Sequence, residues 1–103
     1  MSNVITSPFN EVTRKAYQGG NVEILSITMS ENDFDATKGW AGFHQWLGAG
    51  RSVIKGQHGT RITKFVKFED VTKTGEVKET LMPRPFVVFH FDQTQIIEKK
   101  ESN

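Results

Sequence analysis

Apolar residues follow a helical spacing in one part of the chain and fill both faces of a strand in another. Trp40, Phe43, Trp46 and Leu47 are three, three and one positions apart, so they share one face of a short helix. Glycines that follow directly after Leu47 would end that helix. The run 86–91 places apolar side chains on both faces, as expected of a central strand. The pattern therefore predicts a helix over 40–47 and a central strand over 86–91.

The chain between these two segments has the pattern of a β-hairpin. Residues 61–68 are rich in β-branched and aromatic side chains, which favour a strand. The sequence at 73–76, Lys-Thr-Gly-Glu, is typical of a turn, and the return arm should include 77–81. Pro83 and Pro85 are expected to exclude a regular central ladder at their positions, because proline has no amide hydrogen to donate.

The segment 21–29 fits two kinds of secondary structure. Apolar residues three and four apart fit one face of a helix, whereas alternation and the β-branched content fit a strand. Asn21 follows a Gly-Gly pair and would be a good N-cap if the segment is helical. The residues alone leave the choice open.

Length and composition indicate one small domain. The chain has 103 residues, of which 36% are hydrophobic, including eight Phe and two Trp, enough for a small core. We expect a small single α+β domain over 1–103, with helices packed on an antiparallel sheet and flexible ends at 1–7 and 98–103. There is no cysteine, which excludes disulfides and thiolate sites. No membrane-spanning run or signal-peptide pattern is visible, so we expect a cytoplasmic protein.

Charge is unevenly placed along a chain whose net charge is only +1. The stretch 36–68 contains six Lys or Arg residues and no Asp or Glu, and an acidic stretch from Glu23 to Asp35 precedes it. The simplest interpretation is two solvated surfaces of opposite sign. The alternative is a local cationic field that binds polyanions.

The turn Lys55-Gly56-Gln57-His58-Gly59 lies inside this basic stretch. Its two glycines are expected to allow positive φ and to leave backbone amides unshielded. Outward amides beside Arg51, Lys55 and Arg61 would suit a phosphate group. The turn could equally be a tight connection in which the glycines only satisfy backbone geometry.

The residues give little support for catalysis or metal binding. His44, His58 and His90 are far apart and form no ligand-spaced pair, and the phosphate-loop, zinc-protease and nucleophile-elbow motifs are absent. We therefore expect a protein that is not an enzyme and that has no metal site and no cofactor. For His90 we expect a strand position with hydrogen bonds to backbone groups.

Binding of single-stranded nucleic acid also needs aromatic surfaces on which bases stack. The aromatic candidates near the basic stretch are Trp40, Phe43, Trp46, Tyr17 and Phe65. Aromatic residues at helical spacing usually belong to a core, so we expect Phe43 and Leu47 inside. Of the larger rings, Trp40 or Tyr17 is expected to be partly exposed.

Three motifs in order resemble the N-terminal domain of ArdC-type antirestriction proteins. The matching residues of the central run are Trp40, Gln45, Gly50, Val53, Lys55, Gly56, Gly59 and Thr60. The segments 17–21, Tyr-Gln-Gly-Gly-Asn, and 86–94, which ends in Gln-Thr, resemble two further family motifs, so that the match spans about 8–97. The resemblance implies that a helix follows Asn21 and that the domain binds single-stranded DNA.

The chain also departs from the family pattern. The metalloprotease-like zinc motif found in the second half of such proteins is absent. In the turn, Ile54, Gln57 and His58 replace residues that are commonly charged in the family.

The resulting hypothesis is non-catalytic binding of single-stranded DNA, in antirestriction or DNA protection for a phage or plasmid. The candidate nucleic-acid-binding residues are Arg51, Lys55, Gly56, His58, Gly59, Arg61, Lys64, Trp40 and Tyr17. The alternative is a protein-interaction module that inhibits a host factor such as a restriction protein or nuclease, with the acidic stretch as a possible mimic of DNA.

Overall fold

A computed structural model describes residues 7–98, so the ends that were predicted to be flexible lie almost wholly outside the described residues. The elements in chain order are α1 (Gly20–Glu31), β1 (Trp40–Gly42), α2 (Phe43–Gly48), β2 (Arg51–Val53), β3 (Thr60–Val71), β4 (Val77–His90), a 3-10 turn (Phe91–Gln93) and β5 (Thr94–Ile96). Strands β1, β4 and β3 form one antiparallel sheet in that order, and β2 pairs antiparallel with β5. The predicted α+β class is confirmed, with two small sheets in place of one.

Strand β4 is central in the larger sheet, as its two apolar faces predicted. Only its last three residues pair with β1, so most of β3 and β4 forms a two-stranded ribbon. Both faces of the outer ribbon are largely exposed. The radius of gyration is 17.5 Å, compared with about 13 Å for a compact domain of 100 residues. The ribbon therefore projects from the rest of the molecule.

The ladder with β3 continues through both prolines, but within 7–98 β4 pairs with no second strand at these positions, so the expectation that the prolines exclude a central ladder there is confirmed. Pro83 lies opposite Phe65 and Pro85 opposite Thr63. Thr63 directs its amide and carbonyl away from β4, because both groups bond to the side chain of Asn21. The pair of Thr63 and Pro85 thus needs no hydrogen bond across the ladder. Pro83 is two residues before Pro85, so its backbone nitrogen is directed to the same side, away from β3. Proline is tolerated here because its missing donor would point away from β3.

Helix α1 confirms what the family resemblance favoured for 21–29. It buries Leu25 and Met29, which pack with Ile62 and Val88 of the larger sheet. The expected cap was wrong, because Gly19 occupies the N-cap position and no side chain caps the helix there. The Asn21 side chain instead pairs with the backbone of β3.

Trp40 does not belong to the predicted helix, which begins only at Phe43. The Trp40 amide donates to the Phe9 carbonyl at 2.9 Å, and the Trp40 carbonyl accepts from the Glu11 amide at 2.8 Å. These long-range bonds keep the backbone extended, so tertiary pairing overrides the helical spacing. Trp40 is also paired with His90 of β4.

The remaining helix buries only part of the apolar face that was predicted for it. Trp46 is buried, and its indole N–H donates to the Phe89 carbonyl at 2.9 Å. Phe43 and Leu47 were expected inside but are 47% and 40% exposed. A six-residue helix anchored by one tryptophan cannot also bury the neighbouring positions on its face.

Candidate nucleic-acid interface

The turn between β2 and β3 is fixed by one buried side chain, that of Gln93. Its Nε2 donates to the carbonyl of His58 at 2.8 Å and to Oε1 of Gln57 at 3.2 Å. Its backbone carbonyl accepts from the amide of Ile54 at 2.9 Å. The 3-10 turn that contains Gln93 thus determines the shape of the predicted phosphate-binding turn.

The two glycines of this turn have different roles. Gly56 has φ +90°, a conformation that favours glycine, with open space where a side chain would be. Gly59 does not have a positive φ, so that part of the prediction was wrong. A Cβ at Gly59 would collide with Val87 and would lie 3.0 Å from Cζ of Phe89. Gly56 leaves the turn open to an incoming group, whereas Gly59 lets the chain pack closely against β4.

Arg51 was predicted to contact phosphate, but intramolecular contacts hold its guanidinium. Nε donates to Oγ1 of Thr94 at 2.8 Å and Nη2 to the Thr94 carbonyl at 3.1 Å. The guanidinium carbon lies 4.0 Å from the centroid of the Phe91 ring. Arg51 thereby joins the β2–β5 sheet to the 3-10 turn, and two of its five N–H donors are engaged inside the protein.

The other predicted basic residues are available to a ligand. Lys55, Arg61 and Lys64 are exposed, as is His58. Within residues 7–98 the only Lys or Arg with a carboxylate oxygen closer than 4.0 Å is Arg14, which pairs with Glu11, so Lys55, Arg61 and Lys64 have no carboxylate at that distance. The charge that was predicted from the sequence is therefore free on the surface.

The predicted stacking residues are placed differently from expectation. Trp40 is 0% exposed, and its ring packs edge-on to Phe34 and to His90. Tyr17 is 7% exposed, and its hydroxyl accepts a hydrogen bond from Asn10 at 3.2 Å. Burial raises the pKa of Tyr17. The candidate aromatics with a free surface are Phe65, at 68% exposed, and Phe43, at 47%.

His90 is buried beneath the core tryptophan and takes the structural role expected of it. Nδ1 accepts from the amide of Asp92 at 3.0 Å, and Nε2 lies 3.0 Å from the Asp35 carbonyl and 3.2 Å from the Lys38 carbonyl. Since carbonyls only accept, the proton is on Nε2 and the ring is neutral. Burial lowers the pKa of His90, and the nearby Asp92 carboxylate partly opposes that effect.

We expect acid to destabilise the fold through His90. Because its pKa in the folded state lies below the ordinary value of about 6.5, the unfolded chain binds more protons in this range. Its contribution to stability should be complete above pH of about 6.5 and should be lost as the pH falls below that value. Urea unfolding at several pH values measures the effect.

Two substitutions separate this effect from general acid sensitivity. His90→Gln should remove the pH dependence in this window, because glutamine does not titrate, whereas the exposed His44→Gln should retain it. Equal pH dependence in the wild-type protein and His90→Gln would contradict the assignment.

No group of three or more His, Asp or Glu side chains in the described part of the chain is placed to hold a metal ion. The helices within 7–98 are too short and too polar to cross a membrane.

Sequence reasoning missed the residues that build the site without touching a ligand. Gln93 and Thr94 were noted only as part of a family motif, yet they hold the turn and Arg51 respectively. Arg84, which stands between the two prolines, was not among the candidate residues, and it is an exposed cation on the ribbon. A polar Gln-Thr pair directly after an apolar strand was the available signal.

Comparison with known proteins identifies related domains. Residues 1–99 match the family profile described as the N-terminal domain of anti-restriction factor ArdC. The metal-free crystal structure of the antirestriction protein ArdC from the R388 plasmid is similar, with a TM-score of 0.76 and 28% identity over 91% of this chain. The Mn(II)-bound structure gives 0.71 and 26% over 89%. The match covers only 34% and 35% of those two chains. No curated protein sequence shows a significant match.

Proposed function

The chain belongs to the family of N-terminal domains of the anti-restriction factor ArdC, and from this premise we propose that it binds single-stranded DNA without catalysis. We place this binding in antirestriction or DNA protection for a plasmid or phage. The observation that carries the proposal is a set of exposed cations at and after the turn between β2 and β3. They are Lys55, Arg61 and Lys64, and they have no carboxylate partner within 7–98.

One face of β3 carries both a cation for phosphate and an aromatic ring for base stacking. Arg61, Thr63 and Phe65 alternate along the strand and therefore project from one face. A phosphate held at Arg61 would leave the following base within reach of Phe65, whose ring can supply about 1–3 kcal/mol to a stacked base. Gly56 and His58 belong to the open turn, while Gly59, Arg51, Trp40 and Tyr17 support the interface from inside.

We expect preferential binding to single strands with a moderate salt dependence. If about four phosphates are neutralised, log K should fall with log salt at a slope of roughly −2.8. Fluorescence anisotropy with single- and double-stranded oligonucleotides at two salt concentrations measures both quantities. Equal affinity for duplex, or no binding at low salt, would refute the proposal.

Replacing Lys55 and Arg61 together with alanine should weaken binding by on the order of tenfold to a hundredfold. The salt slope should become shallower by about 1.4, because two phosphate contacts are lost. The matched control replaces Lys73 and Lys78 near the hairpin turn, which removes the same charge. If the control pair weakens binding as much as the first pair, the turn is not the site and binding is diffuse electrostatics.

A second candidate function is inhibition of a host restriction protein or nuclease through α1. Glu23, Ile27 and Glu31 are exposed and four residues apart, so they form one acidic and apolar stripe along the helix. Replacing Glu23 and Glu31 with Gln should then abolish antirestriction in cells without changing affinity for oligonucleotides. Under the DNA-binding proposal both should be unchanged.

A further inference from the structure

Two cations face each other across the β3–β4 ribbon. The register pairs Lys64 with Arg84, which sets their Cβ atoms about 5 Å apart on one face. Both side chains are exposed, and neither has a carboxylate oxygen within 4.0 Å in the described part of the chain. Because like charges directly opposite destabilise a ribbon, an anion bound beside both would relieve their repulsion.

Aromatic rings accompany this pair of cations on the same face. Lys64 Nζ lies 5.4 Å from the centroid of the Phe86 ring, and the Arg84 guanidinium carbon lies 5.0 Å from that of Phe68. In the register, Phe86 lies two positions to one side of the cation pair and Phe68 four positions to the other. Cations interspersed with rings are the two ingredients that single-stranded nucleic acid requires.

An open cleft adjoins Lys64 at the edge of β3. Its volume is about 980 Å³, near the upper end of the usual range of ligand pockets, about 300–1,000 Å³. Lys15 and Lys64 are the charged residues that line it, no acidic residue does, and the amide side chain of Gln18 offers hydrogen bonds.

We propose that Lys64 and Arg84 together bind a backbone phosphate of single-stranded DNA and that an adjacent base enters the cleft beside Lys15. This inference rests on the proposed function and extends it to a face of the ribbon that includes Arg84, Phe68 and Phe86. A base in the cleft would make the contacts that the buried Trp40 cannot make.

The test compares two double variants of the full chain in binding a short oligothymidine. Lys64→Ala/Arg84→Ala should weaken binding by on the order of tenfold to a hundredfold and make the salt slope shallower by about 0.7, because one phosphate contact is lost. The control, Lys73→Ala/Lys78→Ala, removes the same charge near the hairpin turn and should cost less than about threefold. Melting temperatures should match the wild-type value, because exposed charges change stability by only about 0.5 kcal/mol.

Stacking provides an independent readout. An oligothymidine carrying one 2-aminopurine should change fluorescence on binding to the wild-type protein, and Phe68→Leu/Phe86→Leu should reduce that change. An excess of thymidine monophosphate should compete poorly, because it spans only part of the site.

The outcomes separate the two proposals. A wild-type protein that does not bind the oligonucleotide refutes the proposed function and this inference with it. Binding that the two double variants weaken equally refutes this inference alone. Competition by thymidine monophosphate at the affinity of the oligonucleotide would show a mononucleotide pocket and would also overturn it.

Discussion

Replacing Trp40 with alanine is expected to lower the free energy of unfolding by about 3–5 kcal/mol, the cost of removing a large buried ring. The side chain is fully buried and packs against Phe34 and His90. Its loss would leave a cavity between β1, β4 and the segment that leads into β1. Chemical denaturation monitored by circular dichroism measures the change.

The control for this variant replaces Phe43, which the sequence analysis expected to be buried. Phe43→Ala lies on the same predicted face of the helix but removes a ring that is 47% exposed. It should cost clearly less than Trp40→Ala. If Trp40→Ala left stability intact while abolishing DNA binding, Trp40 would be a stacking residue and the burial described here would be wrong.

Replacing Gly39 with alanine is also expected to be severe, at about 1–3 kcal/mol or more, through overpacking. A Cβ at this position would lie 2.7 Å from the carbonyl oxygen of Phe9 and 2.8 Å from the amide nitrogen of Glu11. Both are backbone atoms of the strand-like segment that pairs with Trp40, so neither can turn away as a flexible side chain could. Thermal melting of the variant measures the loss.

Gly48→Ala is the matched control for that substitution. Gly48 is the last residue of α2, and nothing lies within 4 Å of its added Cβ. Alanine should be neutral there or stabilise the helix by up to about 1 kcal/mol. If both variants melt alike, the loss at Gly39 does not come from the close approach of the backbone.

Local patterns in the sequence predicted the elements that depend on local chemistry. The hairpin turn at 73–76 and the central strand were correct because turn residues and two apolar faces determine them almost without context. The boundary at Trp40 was wrong because hydrogen bonds to the segment around Phe9, some thirty residues earlier, decide that backbone. Such partners have no signature in a local window.

The candidate site was only partly predictable for a similar reason. The acid-free stretch 36–68 predicted a basic surface. Lys55, Arg61 and Lys64 are indeed exposed, with no carboxylate oxygen within 4.0 Å in the described part of the chain. The sequence could not indicate that Thr94 and Phe91 hold Arg51, because these residues are forty or more positions away from it. The sequence also could not indicate that Lys64 and Arg84 lie opposite each other, because this depends on the register of β3 and β4.

The hydrogen bonds of Gln93 have a thermodynamic consequence for any ligand of the turn. A free loop of this length loses conformational entropy when a ligand orders it, and that loss subtracts from affinity. Here the folded protein has already ordered the turn, since one buried amide binds both Gln57 and the carbonyl of His58. The turn is preorganised, so under the proposed function its affinity for a phosphate should depend on Gln93, a residue that does not contact the ligand.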